Sequence, residues 1–366
     1  MEHIPENVSS KSVTKSLTHN EGLWRITFDT NPDDCNMHCI MCEEHSEFSP
    51  SRKKRISTGR PHRRMNIAII RSTVKEMSRF GLKEIIPSTM GEPLLYENFL
   101  EILEICKENG IMLNLTTNGT WPGYGPEKWA ELICPVTKDV KVSWNGASAS
   151  IQESIMKGSP FKKRREDLSK FVRARDGIAE TGGNRCSITL QPTFLETNIS
   201  ELPQMVDMAL ELGIDRIKGH QLWVHFPEIR NLDMRRSKES IVKWNIVVDE
   251  CFGIVKSKRL KNGKELKLDN FHKLSEEHIG EMPENWKCPF LGREGWVNYE
   301  GRFDPCCAPD AERITLGHFG RVSENGGFSQ IWFGEKYKGL TSNYMTNSIC
   351  RKCTLRRPDE TERYLL

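Results

Sequence analysis

Apolar and β-branched residues gather along this chain in six short runs, at 24–30, 83–88, 111–117, 139–144, 186–193 and 215–220. Each run is strand-like in length and pattern, and the stretches between them carry apolar residues at helical spacing. Segment 97–109 places Phe99, Leu100, Leu103, Ile105 and Cys106 on one side and then meets Gly110, a residue suited to closing a helix in the left-handed conformation. Segment 199–212 repeats the design with Leu202, Met205, Val206, Ala209 and Leu210 ahead of Gly213. Strands separated by helices imply parallel pairing through right-handed crossovers, hence a curved α/β sheet with its site at the C-terminal edge of the strands. Six strand–helix units predict a partial barrel.

From about residue 231 to 286 the pattern turns charged and helical, with an Asn262-Gly263 turn and a break at Pro283. This reads as a crossover helix and a bridge over 231–285. The expected organisation is a flexible N-terminus over 1–22, a barrel core over 23–230, the bridge, and a smaller domain over 286–366. A chain of 366 residues with 37% hydrophobic residues can bury cores of that size. Twelve cysteines without an apolar leader point to a reducing cytoplasm. No run of 18 apolar residues suggests a membrane span. A net charge of +3 does not point to nucleic acid. Arg52-Lys53-Lys54-Arg55 and the stretch 60–64 read as a solvated loop, or as cations that cover a site and attract an anionic substrate.

The chemistry is concentrated in Cys35-Asn36-Met37-His38-Cys39-Ile40-Met41-Cys42. Thiolates at these intervals can hold three irons of a [4Fe–4S] cube and leave the fourth open to a chelating small molecule. Zinc is the alternative, but His38 as its fourth ligand would lie inside the loop and strain it. The motif, following a strand-like run, resembles the signature of the radical S-adenosylmethionine (SAM) superfamily. That resemblance implies a partial (β/α)6, TIM-like barrel, a SAM-binding [4Fe–4S] cluster on Cys35, Cys39 and Cys42, and SAM chelating the open iron.

Further motifs at the ends of the predicted strands are similar to that family's. Ser88-Thr89-Met90-Gly91-Glu92-Pro93 resembles its Gly-Gly-Glu element, which implies that Gly91 and Glu92 lie against SAM's amino group. Val142-Ser143-Trp144-Asn145-Gly146 resembles its Ser-hydrophobe-Asp-Gly element with Asn for Asp, so Ser143 is assigned to SAM's polar groups. Asn118, Asn145 and Gln191 face the same edge. Gly219 would let adenine approach, and Met41 stands where relatives carry an aromatic residue packed toward adenine. His220 and His225 are placed for proton transfer, although each also reads as a structural histidine. Asn-Gly pairs at 118–119 and 145–146 are also ordinary turns.

A second cysteine set follows. Seventeen residues separate Cys288 from Cys306, enough for a hairpin about Glu300-Gly301, and Cys350 and Cys353 come later. The arrangement is similar to the Twitch domain, the shortened relative of the SPASM domain, which implies one auxiliary [4Fe–4S] cluster on Cys288, Cys306, Cys350 and Cys353. Spacing leaves Cys306 and Cys307 as competing ligands, and a structural zinc fits the same residues. Cys106, Cys134, Cys186 and Cys251 read as buried small hydrophobes.

The expected activity is reductive cleavage of SAM to a 5′-deoxyadenosyl radical, fed by a flavodoxin- or ferredoxin-type donor, followed by hydrogen abstraction. The first expectation is oxidation or rearrangement of a small, anionic metabolite such as a sugar, cyclitol or nucleotide-linked compound. Within the family the parallel is 2-deoxy-scyllo-inosamine dehydrogenase. Two alternatives are modification of a peptide, as in SPASM maturases, and epimerisation with Cys307 returning hydrogen. Against the peptide, only about twenty residues precede the first strand, few for a peptide-recognition domain.

Overall fold

A computed structural model describes residues 23–277, 279–280, 282–324 and 326–358. The stretch 1–22, expected to be loose, lies outside the described residues. Seven strands, β1 Arg25–Phe28, β2 Glu84–Ile86, β3 Met112–Thr117, β4 Thr137–Ser143, β5 Ser187–Gln191, β6 Arg216–Lys218 and β7 Lys267–Asp269, pair side by side in chain order, all parallel. The crossovers run through α1 Ile67–Met77, α2 Phe99–Asn109, α3 Gly125–Ile133, α4 Phe161–Glu180, α5 Leu202–Leu212 and α6 Lys238–Ser257. Gly110 and Gly213 close α2 and α5 in the left-handed conformation, as their positions predict. Leu100 differs from expectation: it is exposed, and Ile102 takes the buried place on α2.

Side-chain alternation decides which face of the sheet meets the helices. Ile26, Phe28, Ile85, Leu113, Leu115, Val140, Val142, Ile188, Leu190 and Ile217 point outward and are almost wholly buried under them. Each such side chain contributes about 1.5–3 kcal/mol relative to exposure. The intervening positions are polar and turn inward, where they bond one another. Arg25 pairs with Glu84 and Glu294, Asn114 donates to Glu84, Lys141 donates to Asn114, and Arg216 pairs with Asp139.

The segment expected as a bridge contains β7, which adds a seventh parallel strand beside β6. Its alternating Leu266 and Leu268 mark it, but three residues inside a charged stretch make too short a pattern to read from sequence. The expected hairpin forms as β8 Glu294–Val297 and β9 Phe303–Asp304, and Asn298 Oδ1 accepts N–H groups of Glu300 and Arg302 across its turn. Gly301 occupies φ +83°, where a side chain would be strained. β8 also pairs in parallel with β1, so hairpin and barrel share one nine-stranded sheet with an unclosed seam between β7 and the hairpin.

The hairpin is backed by an aromatic cluster in which Phe303 meets Phe319, Phe328, Trp332 and Tyr337. Glu76 of α1 caps the helix Gly327–Trp332, accepting from the N–H groups of Phe328 and Ser329 at 3.1 and 2.8 Å. Cys106, Cys134, Cys186 and Cys251 are completely buried. Among the described residues no helix is long and apolar enough to cross a membrane.

Candidate active site

The loop carrying Cys35, Cys39 and Cys42 leaves β1 at the C-terminal edge of the barrel and is held from several sides. A two-residue ladder, His38–Cys39 against Met156–Lys157, ties it to the segment before α4. Met37, Ile155, Met156, Leu195, Leu222 and Phe226 form an apolar cushion beneath it, with Met41 packed alongside.

Asp33 and Asp34, just ahead of Cys35, gather most of the basic stretch. Arg55, Arg60 and Arg63 donate to the Asp33 carboxylate, and His62 and Arg64 bond Asp34. Arg55 lies on the helix Pro50–Thr58, which starts at the Ser49 cap with Pro50 in its first turn and ends at left-handed Gly59. Arg55, Arg60, Arg63 and Arg64 are therefore not a free anion trap, whereas Lys53 and Lys54 are exposed, as the solvated reading of this stretch expects. Charge attraction to two carboxylates folds the arginines back on the thiol loop, and the cations hold Asp33 well below the usual carboxylate range.

Gly91 and Glu92 abut the same loop. A Cβ on Gly91 would stand 2.2 Å from the Asn31 carbonyl oxygen, and the Glu92 N–H donates to the Asp34 carbonyl at 2.7 Å. The Glu92 side chain departs from its expected place beside SAM's amino group. It is buried and accepts from Thr117 Oγ1, the Asn118 N–H and the Leu94 N–H, bracing the ends of β2 and β3, while burial raises its carboxyl to about 7.

Asn118 reaches the thiols: its Nδ2 lies 3.8 Å from Cys35 Sγ and donates to Asn36 Oδ1 at 2.7 Å. Ser143 and Gln191 are register partners on neighbouring strands and lie half-buried on the inner face. Asn145 is corrected in part. Its Oδ1 accepts the Thr193 N–H and it is buried, so the amide oxygen is spent on joining two strand ends and only the Nδ2 group is left for a ligand. At Gly219 an added Cβ would fall 2.0 Å from the Phe194 ring, so packing of that ring by itself requires a glycine here.

His220 Nε2 lies 3.2 Å from Thr193 Oγ1, and burial with the nearby Lys218 lowers its imidazole to about 4. It is neutral at pH 7 and a poor proton donor there. His225, likewise lowered by burial to about 4, packs on Phe226.

Sequence reasoning passed over Arg164 on α4. It is buried, donates to Ser159 Oγ and the Ser143 carbonyl, and lies within electrostatic reach of Cys39 and Glu92. Nothing in the run Lys162-Lys163-Arg164-Arg165 separates it from its solvated neighbours. Asp29, buried just past the end of β1 and raised to about 6 by that burial, was also missed; it accepts the Met90 N–H.

The thiols suit an iron–sulfur cluster. Cys39 is within electrostatic reach of Cys35 and Cys42, all three are half-buried, and burial raises Cys35 to about 12 and Cys42 to about 11. Asn118 Nδ2 and the His45 N–H, 3.4 Å from Cys42 Sγ, point at sulfur, and Arg164 supplies positive charge. Such a set becomes thiolate when a metal supplies the remaining charge.

In the C-terminal segment Cys306 is within electrostatic reach of Cys288, Cys350 and Cys353, so the four thiols share one neighbourhood, although among the described residues no three such side chains stand close enough together to hold a metal ion. Cys307 shares that neighbourhood but also faces Glu294 of the barrel sheet. The Glu43 carboxylate, beside Cys42, accepts the Asp310 N–H at 3.2 Å and so joins the two thiol regions.

Residues 32–178 match the family model of the Radical SAM superfamily, and residues 288–354 match that of the SPASM iron–sulfur cluster-binding domain. The chain is 22% identical to the tungsten-containing aldehyde ferredoxin oxidoreductase cofactor-modifying protein of Pyrococcus furiosus, over 88% of this chain and 85% of that protein. It is 21% identical to the PqqA peptide cyclase of Bradyrhizobium diazoefficiens, over 89% of this chain and 77% of that protein. Among solved structures, Streptococcus suis SuiB bound to precursor peptide SuiA gives a TM-score of 0.61 at 16% identity, covering 92% of this chain and 71% of that one.

Proposed function

On the premise that this chain is a radical SAM enzyme with a C-terminal SPASM domain, we propose that it modifies a peptide. The observation that carries this reading is the similarity to a PqqA peptide cyclase, which extends over 89% of the chain. Modification of a small metabolite, the first expectation from sequence, is supported by one similarity, to a protein named for modifying the cofactor of an oxidoreductase, against peptide cyclases of several organisms.

Bound at Cys35, Cys39 and Cys42, a [4Fe–4S] cluster with an open iron supplies, together with SAM, the radical chemistry that removes hydrogen from unactivated C–H bonds. The chain's own part is to position and to exclude water. Asn118 orients Cys35, Arg164 ties α4 to the Ser143 strand end, and Gly91 lets β2 close on the loop. Ser143 and Gln191 are the inner-face polar groups left for SAM. Cys288, Cys306, Cys350 and Cys353 would hold one auxiliary cluster, which would supply a site for electron transfer, and a flavodoxin- or ferredoxin-type protein would be the external donor. Cys307, outside that ligand set, is the thiol placed to return hydrogen if the outcome is epimerisation.

The test is anaerobic incubation of the reconstituted protein with SAM, reductant and a low-mass extract, read by mass spectrometry. A mass-shifted peptide should appear one for one with 5′-deoxyadenosine and vanish when the extract is first digested with protease. Turnover that survives digestion, with a modified metabolite, overturns the peptide reading.

A further inference from the structure

The barrel's unclosed seam is not filled by side chains. A cavity of about 80 Å³ lies there, bounded by Arg25 of β1, Lys218 of β6, His220, Gln221, Asn270 just past β7, and Arg356. That volume holds a few water molecules. Pro289 and Phe290, which follow Cys288, and Thr354, which follows Cys353, also line it, so the cavity adjoins the C-terminal thiols; the Glu294 carboxylate stands in the same wall, already paired with Arg25.

The wall is cationic. Among the described residues Lys218 has no hydrogen-bond or ion-pair partner, and its charged neighbours are Arg216, Arg25, Arg357 and Asp269. Asp269 is already bonded to Arg216, and Arg25 is committed to Glu84 and Glu294. Arg356 is buried and spends its guanidinium on the carbonyls of Met282, Pro283, Glu284, Trp286 and Arg351, none of which cancels its charge.

Polar atoms are left over as well. Among the described residues, Gln221 Oε1, Asn270 Oδ1 and Thr354 Oγ1 are buried without a hydrogen-bond partner, and Gln221 and Thr354 are only 6% and 7% exposed. Buried polar atoms are nearly always paired, so these three, together with the Nε–H groups of Arg25 and Arg356 in the same wall, ask for a ligand with complementary groups. Two are acceptors that need N–H donors, and the hydroxyl can donate to an anion. An anion alone would leave the amide oxygens unpaired, and a neutral peptide would leave Lys218 unpaired. A peptide bearing a carboxylate satisfies both.

We propose that the seam cavity is the subsite for a carboxylate of the peptide substrate, with Lys218 as its counter-cation, Thr354 Oγ1 as a further donor, and Gln221 and Asn270 receiving peptide N–H groups. This rests on the peptide reading above and adds the substrate's charge and the place where it is held, next to the auxiliary thiols. The carboxylate comes from an aspartate or glutamate side chain or from a peptide C-terminus.

The test is binding, not turnover. Immobilised, anaerobically reconstituted protein is panned against random peptide libraries, one with amidated and one with free C-termini. Wild type should enrich acidic residues at one position about tenfold, the scale of a single charge-assisted contact. Lys218→Met should reduce the enrichment to background, and Lys218→Arg should keep part of it. Enrichment confined to the free-terminus library assigns the site to a C-terminal carboxylate. Bound peptides without carboxylate preference, or a preference unchanged in Lys218→Met, overturn the proposal. Thr354→Val serves at the opposite wall should Lys218→Met lose its fold, with a severalfold drop expected and no change overturning the assignment. If wild type retains no peptide at all, the peptide reading fails and the subsite falls with it, whereas peptides retained without carboxylate preference sink the subsite alone.

Discussion

Arg63 holds Asp33 through side chain and backbone together: its guanidinium lies 2.8 Å from Asp33 Oδ1, and its N–H lies 2.8 Å from Oδ2. The same guanidinium reaches Glu44 Oε2 at 2.7 Å. The two carboxylates flank the thiol loop in sequence, so one arginine staples both ends of it.

Asp33→Ala should loosen that loop and leave buried arginine charge without its partner. Breaking a buried pair costs about 3–5 kcal/mol, and partial exposure of Arg60 and Arg63 reduces the expected loss to about 2–3 kcal/mol. Urea unfolding of the cluster-free protein measures it, and iron per chain after reconstitution should fall in parallel. An unchanged midpoint would show that the clamp carries no stability.

Asp215 receives the buried Arg175 and also Arg185, and burial opposed by these cations leaves its carboxyl below the ordinary range. A depressed carboxyl stabilises the fold above the unfolded value near 3.9 and loses that contribution as pH falls through the folded value. Asp215→Asn should therefore destabilise the cluster-free protein at pH 7, by roughly 1–3 kcal/mol, and much less in strong acid. Equal destabilisation at both pH values would contradict the linkage.

His220 should stay neutral down to acid pH. Its folded value of about 4 lies below the unfolded histidine value near 6.5. The contribution to stability is complete above about 6.5 and is lost as pH falls toward 4. Ring carbon shifts followed by NMR from pH 8 to 5 should not move, and a midpoint near 6.5 would refute the assignment.

Gly219→Ala forces a methyl group into the Phe194 ring. Overpacking of this kind costs about 1–3 kcal/mol. Pairing it with Phe194→Leu should recover part of the loss in a double-mutant cycle, and additive effects would mean that the two positions do not meet.

Cys306→Ser should lower bound iron by about one cluster, whereas Cys307→Ser should leave iron unchanged. Anaerobic iron and sulfide quantification decides this, and the reverse result would exchange the two assignments. Cys35→Ala should abolish SAM cleavage and keep the auxiliary iron.

Much of the architecture was legible because its determinants are local. Strand alternation repeats every two residues, helix ends are marked by Gly110 and Gly213, and the cysteine intervals lie within eight residues of chain. Arg164 was not legible: one arginine among four consecutive cations carries no mark of burial until α4 packs beneath the thiol loop. Nor was the arginine clamp, since Arg55 and Arg63 are committed only when a helix and a loop fold back onto Asp33.

The amino-acid order by itself determined the succession of strands and helices, which face of each is apolar, and which thiols are available to bind metal, since backbone periodicity and side-chain chemistry act over a few residues. Only the tertiary structure decided that β8 pairs with β1, joining Arg25 to Glu294 across 269 positions, that β7 completes the parallel run, and that a cationic seam remains open between them. Strand register and the burial of a charge depend on partners brought together from far along the chain, and no local pattern encodes those partners.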